Sequence, residues 1–94
     1  ENADRQGRYI MQQLEGLKER FGLKNIRGRG LLVAFDLPVE RGADVVRESM
    51  KAGLLLNSPQ PATIRLMPPL IVSREHIDEM IGILQNVLSG LEQK

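Results

Sequence analysis

A long amphipathic stripe at each end of the 94-residue chain constrains its fold more than any other feature. The first stripe has small or apolar residues at every third or fourth position, namely Ala3, Gly7, Ile10, Leu14, Leu17 and Phe21. The last stripe repeats this spacing at Ile77, Met80, Ile81, Leu84, Val87, Leu88 and Leu91. The spacing predicts two helices that each bury one face. Gly22 is placed to end the first helix in a left-handed conformation, and Ser73 to cap the last.

Three short apolar runs between these helices predict strands, at residues 31–37, 54–57 and 63–67. Pro68 and Pro69 cannot donate to a β-ladder, so the third strand ends there or lies at an edge. Gly28 and Gly30 predict a turn before the first strand. Residues 58–62 (SPQPA) predict a proline-rich connection between the second and third strands.

A middle helix is predicted from about Ala43 to Ala52, with Val46 and Met50 on one side and Gly53 as its stop. The element order is then α-β-α-β-β-α. Three helices packed on one face of a small, three-stranded, mostly antiparallel sheet form an α+β fold. The other face of the sheet is left uncovered, and such a face usually has a partner.

The composition argues against several classes of function. A formal net charge of +1 gives no electrostatic reason to expect nucleic acid or an anionic membrane as a partner. The absence of cysteine excludes a disulfide scaffold, a thiolate metal site and a cysteine nucleophile, and it suits an intracellular protein. No apolar run approaches the roughly 20 residues that span a bilayer.

Arg65 is the candidate functional side chain with the most specific setting. Alternation along the strand places it on the opposite face from Ile64 and Leu66. A strand arginine that faces solvent is the commoner case. The alternative is a guanidinium held rigidly to bind a carboxylate through two parallel hydrogen bonds. The residues alone leave both open.

The remaining candidates have simpler explanations. His76 is expected to be a surface residue in the first turn of the last helix, and Tyr9 to pack beside the first helical stripe. The segment "RGRG", Arg27 to Gly30, resembles backbone anion cradles. It is too short for a dinucleotide fingerprint and precedes a strand instead of following one, so a turn is expected. No carboxylate pair is spaced for acid–base catalysis, and no metal site is predicted.

Taken in order, the motifs resemble a known family. "IRGRGLLVAFDL", a helix, "AGLLLN" and "TIRLMPPLIVSREHIDEM" are similar to the C-terminal part of class III pyridoxal-phosphate aminotransferases, which are fold-type I enzymes. Within that family the likeness is greatest to the acetylornithine aminotransferase group. It extends over nearly the whole chain, and the ordered combination carries it.

The resemblance implies that residues 1–94 are the small C-terminal domain of a longer chain, with a leading helix over 1–22 and an α/β core over 26–94. That enzyme would transfer an amino group between N-acetylornithine, or a related ω-amino acid, and 2-oxoglutarate. It would use pyridoxal 5'-phosphate, and it would be a cytoplasmic homodimer. The start at Glu1, without an initiator methionine, also favours a fragment.

The resemblance also assigns the site. The lysine that forms the Schiff base is expected in the large cofactor-binding domain, since this chain's lysines lie in different settings: Lys18, Lys24, Lys51 and Lys94. No catalytic residue is therefore expected here, and the chain alone should bind no cofactor and be inactive. Arg65 matches the family arginine that binds the substrate α-carboxylate. Gly28 and Gly30 match the turn that precedes the first predicted strand in the family, where the resemblance implies that another group lies close to the backbone.

A different class of protein also fits the pattern. Residues 31–91 read β-α-β-β-α, which is a ferredoxin-like repeat short of its last strand. A free-standing chain of that type would be a regulatory module that binds a small molecule and associates through its sheet.

Overall fold

A computed structural model of the chain describes residues 2–66, 68 and 73–92. Its helices are α1 (Asn2–Phe21), α2 (Gly42–Lys51) and α3 (Arg74–Glu92). Its strands are β1 (Lys24–Arg29), β2 (Leu32–Asp36), β3 (Leu56–Gln60) and β4 (Thr63–Leu66). The predicted α+β class is confirmed, and the element order is α-β-β-α-β-β-α.

The sheet has four strands in the order β1-β2-β4-β3, and each neighbouring pair is antiparallel. The prediction of three strands was therefore wrong by one, because β1 was read as a turn. Its sequence, KNIRGR, is mostly exposed and offers one partly buried apolar side chain, Ile26, so no alternating apolar signal marks it. Only Gly30, with φ 58°, lies in the tight turn, while Gly28 belongs to the strand.

The second predicted strand was also displaced. The structure begins β3 at Leu56 and continues it to Gln60, so most of the proposed connection is strand and the β3–β4 turn is only Pro61 and Ala62. Pro59 is compatible with the ladder because β3 is an edge strand. The described part of β4 is Thr63–Leu66, and it lies inside the sheet between β2 and β3, so the alternative of an edge position was wrong. Met67 and Pro69 lie outside the described residues.

The hydrophobic core lies between the sheet and the helices. Helix α1 packs on β1 and β2, α2 packs on β3 and β4, and α3 lies against both helices. The predicted helical stripes are confirmed, and the fully buried core side chains come from every layer: Ile10, Leu14, Val33, Phe35, Ile64, Leu66, Ile77 and Leu84. Ser73 caps α3, since its Oγ accepts a hydrogen bond from the backbone N–H of His76 at 3.1 Å. Gly22 ends α1 with φ 69°.

Helix α2 is rotated by about one residue from the predicted orientation. Val45 and Ser49 are buried, whereas Met50 is 57% exposed and Val46 only partly covered. The first turn explains this rotation: the Gly42 N–H donates to Pro61 O at 2.8 Å, so the helix start packs directly on the β3–β4 turn. The described helices include none that is both long and apolar enough to cross a membrane.

The rotation of α2 buries a hydroxyl group that lacks a hydrogen-bond partner in the described part of the chain, Ser49 Oγ. Replacing Ser49 with alanine removes this desolvated group, and we expect the free energy of unfolding to rise by about 1 kcal/mol in urea denaturation. The matched control is Ser58→Ala, because Ser58 Oγ donates to Gln60 O at 2.7 Å and its loss is expected to destabilise slightly. A less stable Ser49→Ala variant would contradict the prediction.

Candidate anion-binding site on the open face of the sheet

The face of the sheet opposite the helices carries one row of side chains across all four strands. Strand pairing places Arg27 opposite Ala34, Ala34 opposite Arg65, and Arg65 opposite Asn57. The next residues along β2 and β4 point into the core, where Val33, Phe35, Ile64 and Leu66 are fully buried. Alternation therefore places Arg65 on the open face, as predicted.

Arg27, Ala34 and Arg65 of this row line a shallow depression of about 420 Å³, and its lining also includes Arg29, Leu32 and Thr63. Ala34 is the neighbour of Arg65 on β2, and its single methyl group leaves space above the sheet. The depression is basic in character. The four strand sequences contain four basic residues (Lys24, Arg27, Arg29 and Arg65) and one acidic residue, Asp36.

The Arg65 guanidinium is held by an amide. Its Nη2 donates to Asn57 Oδ1 at 2.9 Å, and this contact is partly buried. Its Nε is buried and has no hydrogen-bond partner in the part of the chain that the structure describes. A guanidinium has five N–H groups. The two N–H groups of Nη1 and the second N–H group of Nη2 have no acceptor among the described residues. These three donors are therefore available to a ligand.

Asp36 carries the only carboxylate in the four described strands, and its hydrogen bonds are made to residues other than Arg65. Its oxygens accept hydrogen bonds from Asn25 Nδ2 at 2.8 Å and Thr63 Oγ1 at 2.9 Å, and Arg27 Nη1 lies 3.4 Å away. The hydrogen bonds from Asn25 and Thr63, followed by the charge of Arg27, lower the pKa of Asp36. The carboxylate therefore stays ionised near neutral pH and pairs with Arg27, while no described ion pair neutralises Arg65.

This arrangement suits recognition of an anion. Arg65 is a permanent cation on a strand that is hydrogen-bonded on both sides, so its position is fixed more firmly than a loop would allow. Its terminal nitrogens can bind a carboxylate through two parallel hydrogen bonds.

The predicted glycines have structural contacts. A Cβ on Gly28 would lie 3.0 Å from Val33 Cγ2 and 3.3 Å from Met11 Sδ, so β1 approaches the core closely at this point. Gly28 also lines the depression. Gly30 turns the chain between β1 and β2, and its carbonyl oxygen contacts α1.

The other residues considered from the sequence do not converge on Arg65. His76 is exposed in the first turn of α3. Tyr9 donates its hydroxyl to Asp78 Oδ1 at 2.5 Å, which raises the pKa of Tyr9, and the Arg74 guanidinium lies 4.2 Å from its ring centre. This cluster ties α1 to α3. In the described residues, no group of three or more acidic or histidine side chains could hold a metal ion.

Asn57 and Asp36 were not identified from the sequence. Asn57 was assigned correctly to a strand, but its partner depends on a register shift between Asn57 and Gln60. Extrapolating the regular hairpin from the Gln60–Thr63 pair would have placed Ser58 opposite Arg65. Alternation within β2 places Asp36 on the same face as Ala34, which was the only available signal for Asp36.

The fold and the open face together define a small α+β domain with a strand arginine, Arg65, that no ion pair of the described residues neutralises. Comparison with known proteins identifies the class. The model of the family described as "Aminotransferase class-III" matches residues 1–88, and the chain belongs to this family.

Several curated relatives cover almost the whole chain. It is 40% identical over 92 residues to acetylornithine aminotransferase from Caldanaerobacter subterraneus subsp. tengcongensis, covering 97% of this chain and 23% of the relative. It is 45% identical over 87 residues to acetylornithine aminotransferase from Ralstonia nicotianae, covering 89% of this chain and 22% of the relative. The chain therefore spans less than a quarter of the length of these relatives.

Solved structures of the same class share the fold. Lysine aminotransferase from M. tuberculosis superposes with a TM-score of 0.85 at 30% identity, covering 93% of this chain and 21% of the other. Ornithine delta-aminotransferase from Plasmodium falciparum gives 0.87 at 28% identity, covering 99% of this chain and 24% of the other. The chain thus corresponds to one part of a larger aminotransferase architecture.

Proposed function

We propose that this chain is the C-terminal small domain, over residues 1–94, of a pyridoxal-phosphate-dependent aminotransferase, and that Arg65 binds the α-carboxylate of its amino-acid substrates. The observation that carries the proposal is the state of Arg65: a strand arginine, held by a neutral amide and unpaired with any described carboxylate, on the open face of the sheet. A substrate carboxylate supplies the missing charge partner.

Arg65 contributes binding and orientation in this proposal. Two parallel hydrogen bonds from one guanidinium fix both the position and the plane of a carboxylate. In glutamate, the amino acid formed from 2-oxoglutarate, the transferred amino group is attached to the same carbon as this carboxylate, so it is directed to one place in the active site. Such orientation lowers the entropic cost of the reaction. The chain's own part in the chemistry is therefore to place the substrate.

The described residues do not fit the cofactor itself. Lys18, Lys24 and Lys51 are exposed, and Lys51 Nζ lies 3.2 Å from Glu48 Oε2, so none is enclosed as a cofactor-binding lysine would be. Lys94 lies outside the described residues. We therefore assign the cofactor and its lysine to the large domain of the longer protein, and no step of the reaction to this chain alone.

The relatives guide the choice of substrate. Proteins 36–45% identical to this chain are named acetylornithine aminotransferase in bacteria and archaea, and relatives from Bordetella at 41% identity are named ornithine aminotransferase. We propose N-acetylornithine, or a related ω-amino acid, as the amino donor and 2-oxoglutarate as the acceptor. In this proposal the whole enzyme is a cytoplasmic homodimer.

The proposal is tested with the longer protein, loaded with pyridoxal 5'-phosphate. We expect 2-oxoglutarate-dependent amino transfer from N-acetylornithine, measured as glutamate formed, with ornithine, lysine and 4-aminobutyrate as competing donors. Reactions without 2-oxoglutarate are the control. A loaded, folded enzyme that transfers an amino group from none of these donors would contradict the proposed function.

The alternative of a free-standing regulatory module finds less support. Strands β2, β3 and β4 with α2 form the split β-α-β unit of ferredoxin-like domains. However, β1 occupies the outer position beside β2, and the relatives named above are aminotransferases.

A further inference from the structure

We propose that Asn57 is a positioning residue for Arg65, and that its neutral amide orients the guanidinium without neutralising the charge that the substrate carboxylate needs. This inference rests on the proposed role of Arg65 as the carboxylate-binding residue. It adds a residue that acts through Arg65 and makes no contact with the reacting atoms.

The register of the β3–β4 hairpin creates the contact. A regular ladder from the Gln60–Thr63 pair would place Ser58 opposite Arg65, and a serine hydroxyl is shorter than an asparagine amide. The shift between Asn57 and Gln60 instead pairs Asn57 with Arg65, and Oδ1 accepts from Nη2 at 2.9 Å. Because both residues lie on paired strands, the guanidinium is held from the side by a rigid neighbour.

The choice of an amide has an electrostatic consequence. A carboxylate at position 57 would form an ion pair with Arg65 and compete with the ligand for its charge. Asp36, whose carboxylate is the only one in the strands that the structure describes, is engaged with Asn25, Thr63 and Arg27 instead. The chain thus pairs Arg27 with an acid and Arg65 with an amide in the same row of the sheet.

The donors that remain on Arg65 define how a carboxylate is bound. Its Nε is enclosed, so a ligand cannot approach from that side. Asn57 occupies one N–H of Nη2, which leaves the terminal end with Nη1 and the second N–H of Nη2. Asn57 therefore selects an end-on carboxylate, and its removal lets the guanidinium rotate among other orientations.

The experiment uses the longer, cofactor-loaded enzyme and a pair of substrates that differ in one group. Glutamate carries the α-carboxylate, and 4-aminobutyrate is the same molecule without it. The measured quantity is the ratio of the apparent second-order rate constants for the two substrates, which equal kcat/KM of each half-reaction, from the concentration dependence of single-turnover amino transfer. We compare the unmodified enzyme with Asn57→Ala, Asn57→Asp and Arg65→Ala.

We expect Asn57→Ala to reduce the preference for glutamate about tenfold, through a higher KM, because a hydrogen bond to a charged group is lost. We expect Asn57→Asp to reduce it further, toward the value for Arg65→Ala, although aspartate has the same shape and retains an acceptor. The rate with 4-aminobutyrate should fall less than the rate with glutamate in both variants, and cofactor loading together with the thermal unfolding midpoint reports whether the enzyme is folded.

The outcomes separate the two proposals. If Arg65→Ala keeps the preference for glutamate, the proposed function of Arg65 is wrong. If Arg65→Ala loses the preference but Asn57→Ala keeps it, only the role of Asn57 is overturned. If Asn57→Asp matches the unmodified enzyme, the requirement for a neutral partner is overturned. Parallel loss of both activities in the Asn57 variants would assign Asn57 to folding and also contradict the inference.

Discussion

Replacing Arg65 with alanine is expected to lower kcat/KM for every α-carboxylated substrate of the longer enzyme by roughly one to two orders of magnitude, mainly through a higher KM. The charged hydrogen bonds that are lost contribute about 1.5–3 kcal/mol, and each 1.36 kcal/mol corresponds to a factor of about ten. The two other polar residues in the row of Arg65 do not replace this charge among the described residues, because Asn57 is neutral and Arg27 is paired with Asp36. Steady-state kinetics with N-acetylornithine as the donor and 2-oxoglutarate as the varied acceptor measure the effect.

Two control variants make this result specific. Arg65→Lys keeps the charge but loses the planar pair of donors, so we expect an intermediate KM. Arg8→Ala removes the same charge from an exposed position on α1 and should leave the KM unchanged. An unchanged KM in Arg65→Ala would show that the substrate carboxylate is bound elsewhere.

Replacing Gly7 with alanine is expected to destabilise the domain by about 3 kcal/mol or more, at the upper end of what overpacking costs. A Cβ at position 7 would lie 1.7 Å from the carbonyl oxygen of Gly30 and 2.8 Å from its carbonyl carbon. Both are backbone atoms of the β1–β2 turn, so no side chain can rotate away, and α1 must move off the sheet. Thermal or urea unfolding of the protein measures the loss.

The same helix supplies a matched control. Gly16 is exposed on α1, and a Cβ at this position would meet no atom within 4 Å. Gly16→Ala should therefore stabilise the protein by up to about 1 kcal/mol through helix propensity alone. Equal effects of the two substitutions would show that α1 does not rest on the Gly30 carbonyl.

The two long helices were predictable because their apolar stripes run over about five turns. Over that length, a wrong choice of the buried face would place several charged residues in the core. The shorter α2 has few apolar residues, and Val45 and Val46 are adjacent, so the sequence did not reveal which faces the core. Packing of Gly42 on the β3–β4 turn determines this orientation. Strand β1 was missed because Ile26 is its one partly buried apolar side chain and Gly28 adds no side chain to the alternation.

The site was predictable in one respect and hidden in another. Alternation between Ile64 and Leu66 was sufficient to place Arg65 on the open face. The hydrogen-bond partner of Arg65 was not predictable, because a one-residue irregularity in β3 changes which residue lies opposite. Cross-strand partners depend on register, and local composition does not reveal a register shift.

The close contact between Gly7 and Gly30 has a mechanical consequence. Where two backbones touch without intervening side chains, α1 cannot slide along the β1–β2 turn, since packed elements shift between discrete arrangements. We therefore expect α1 and the sheet to move together as one rigid body. Arg65 would move toward or away from a bound molecule by rotation of the whole domain, with its hydrogen bond to Asn57 intact.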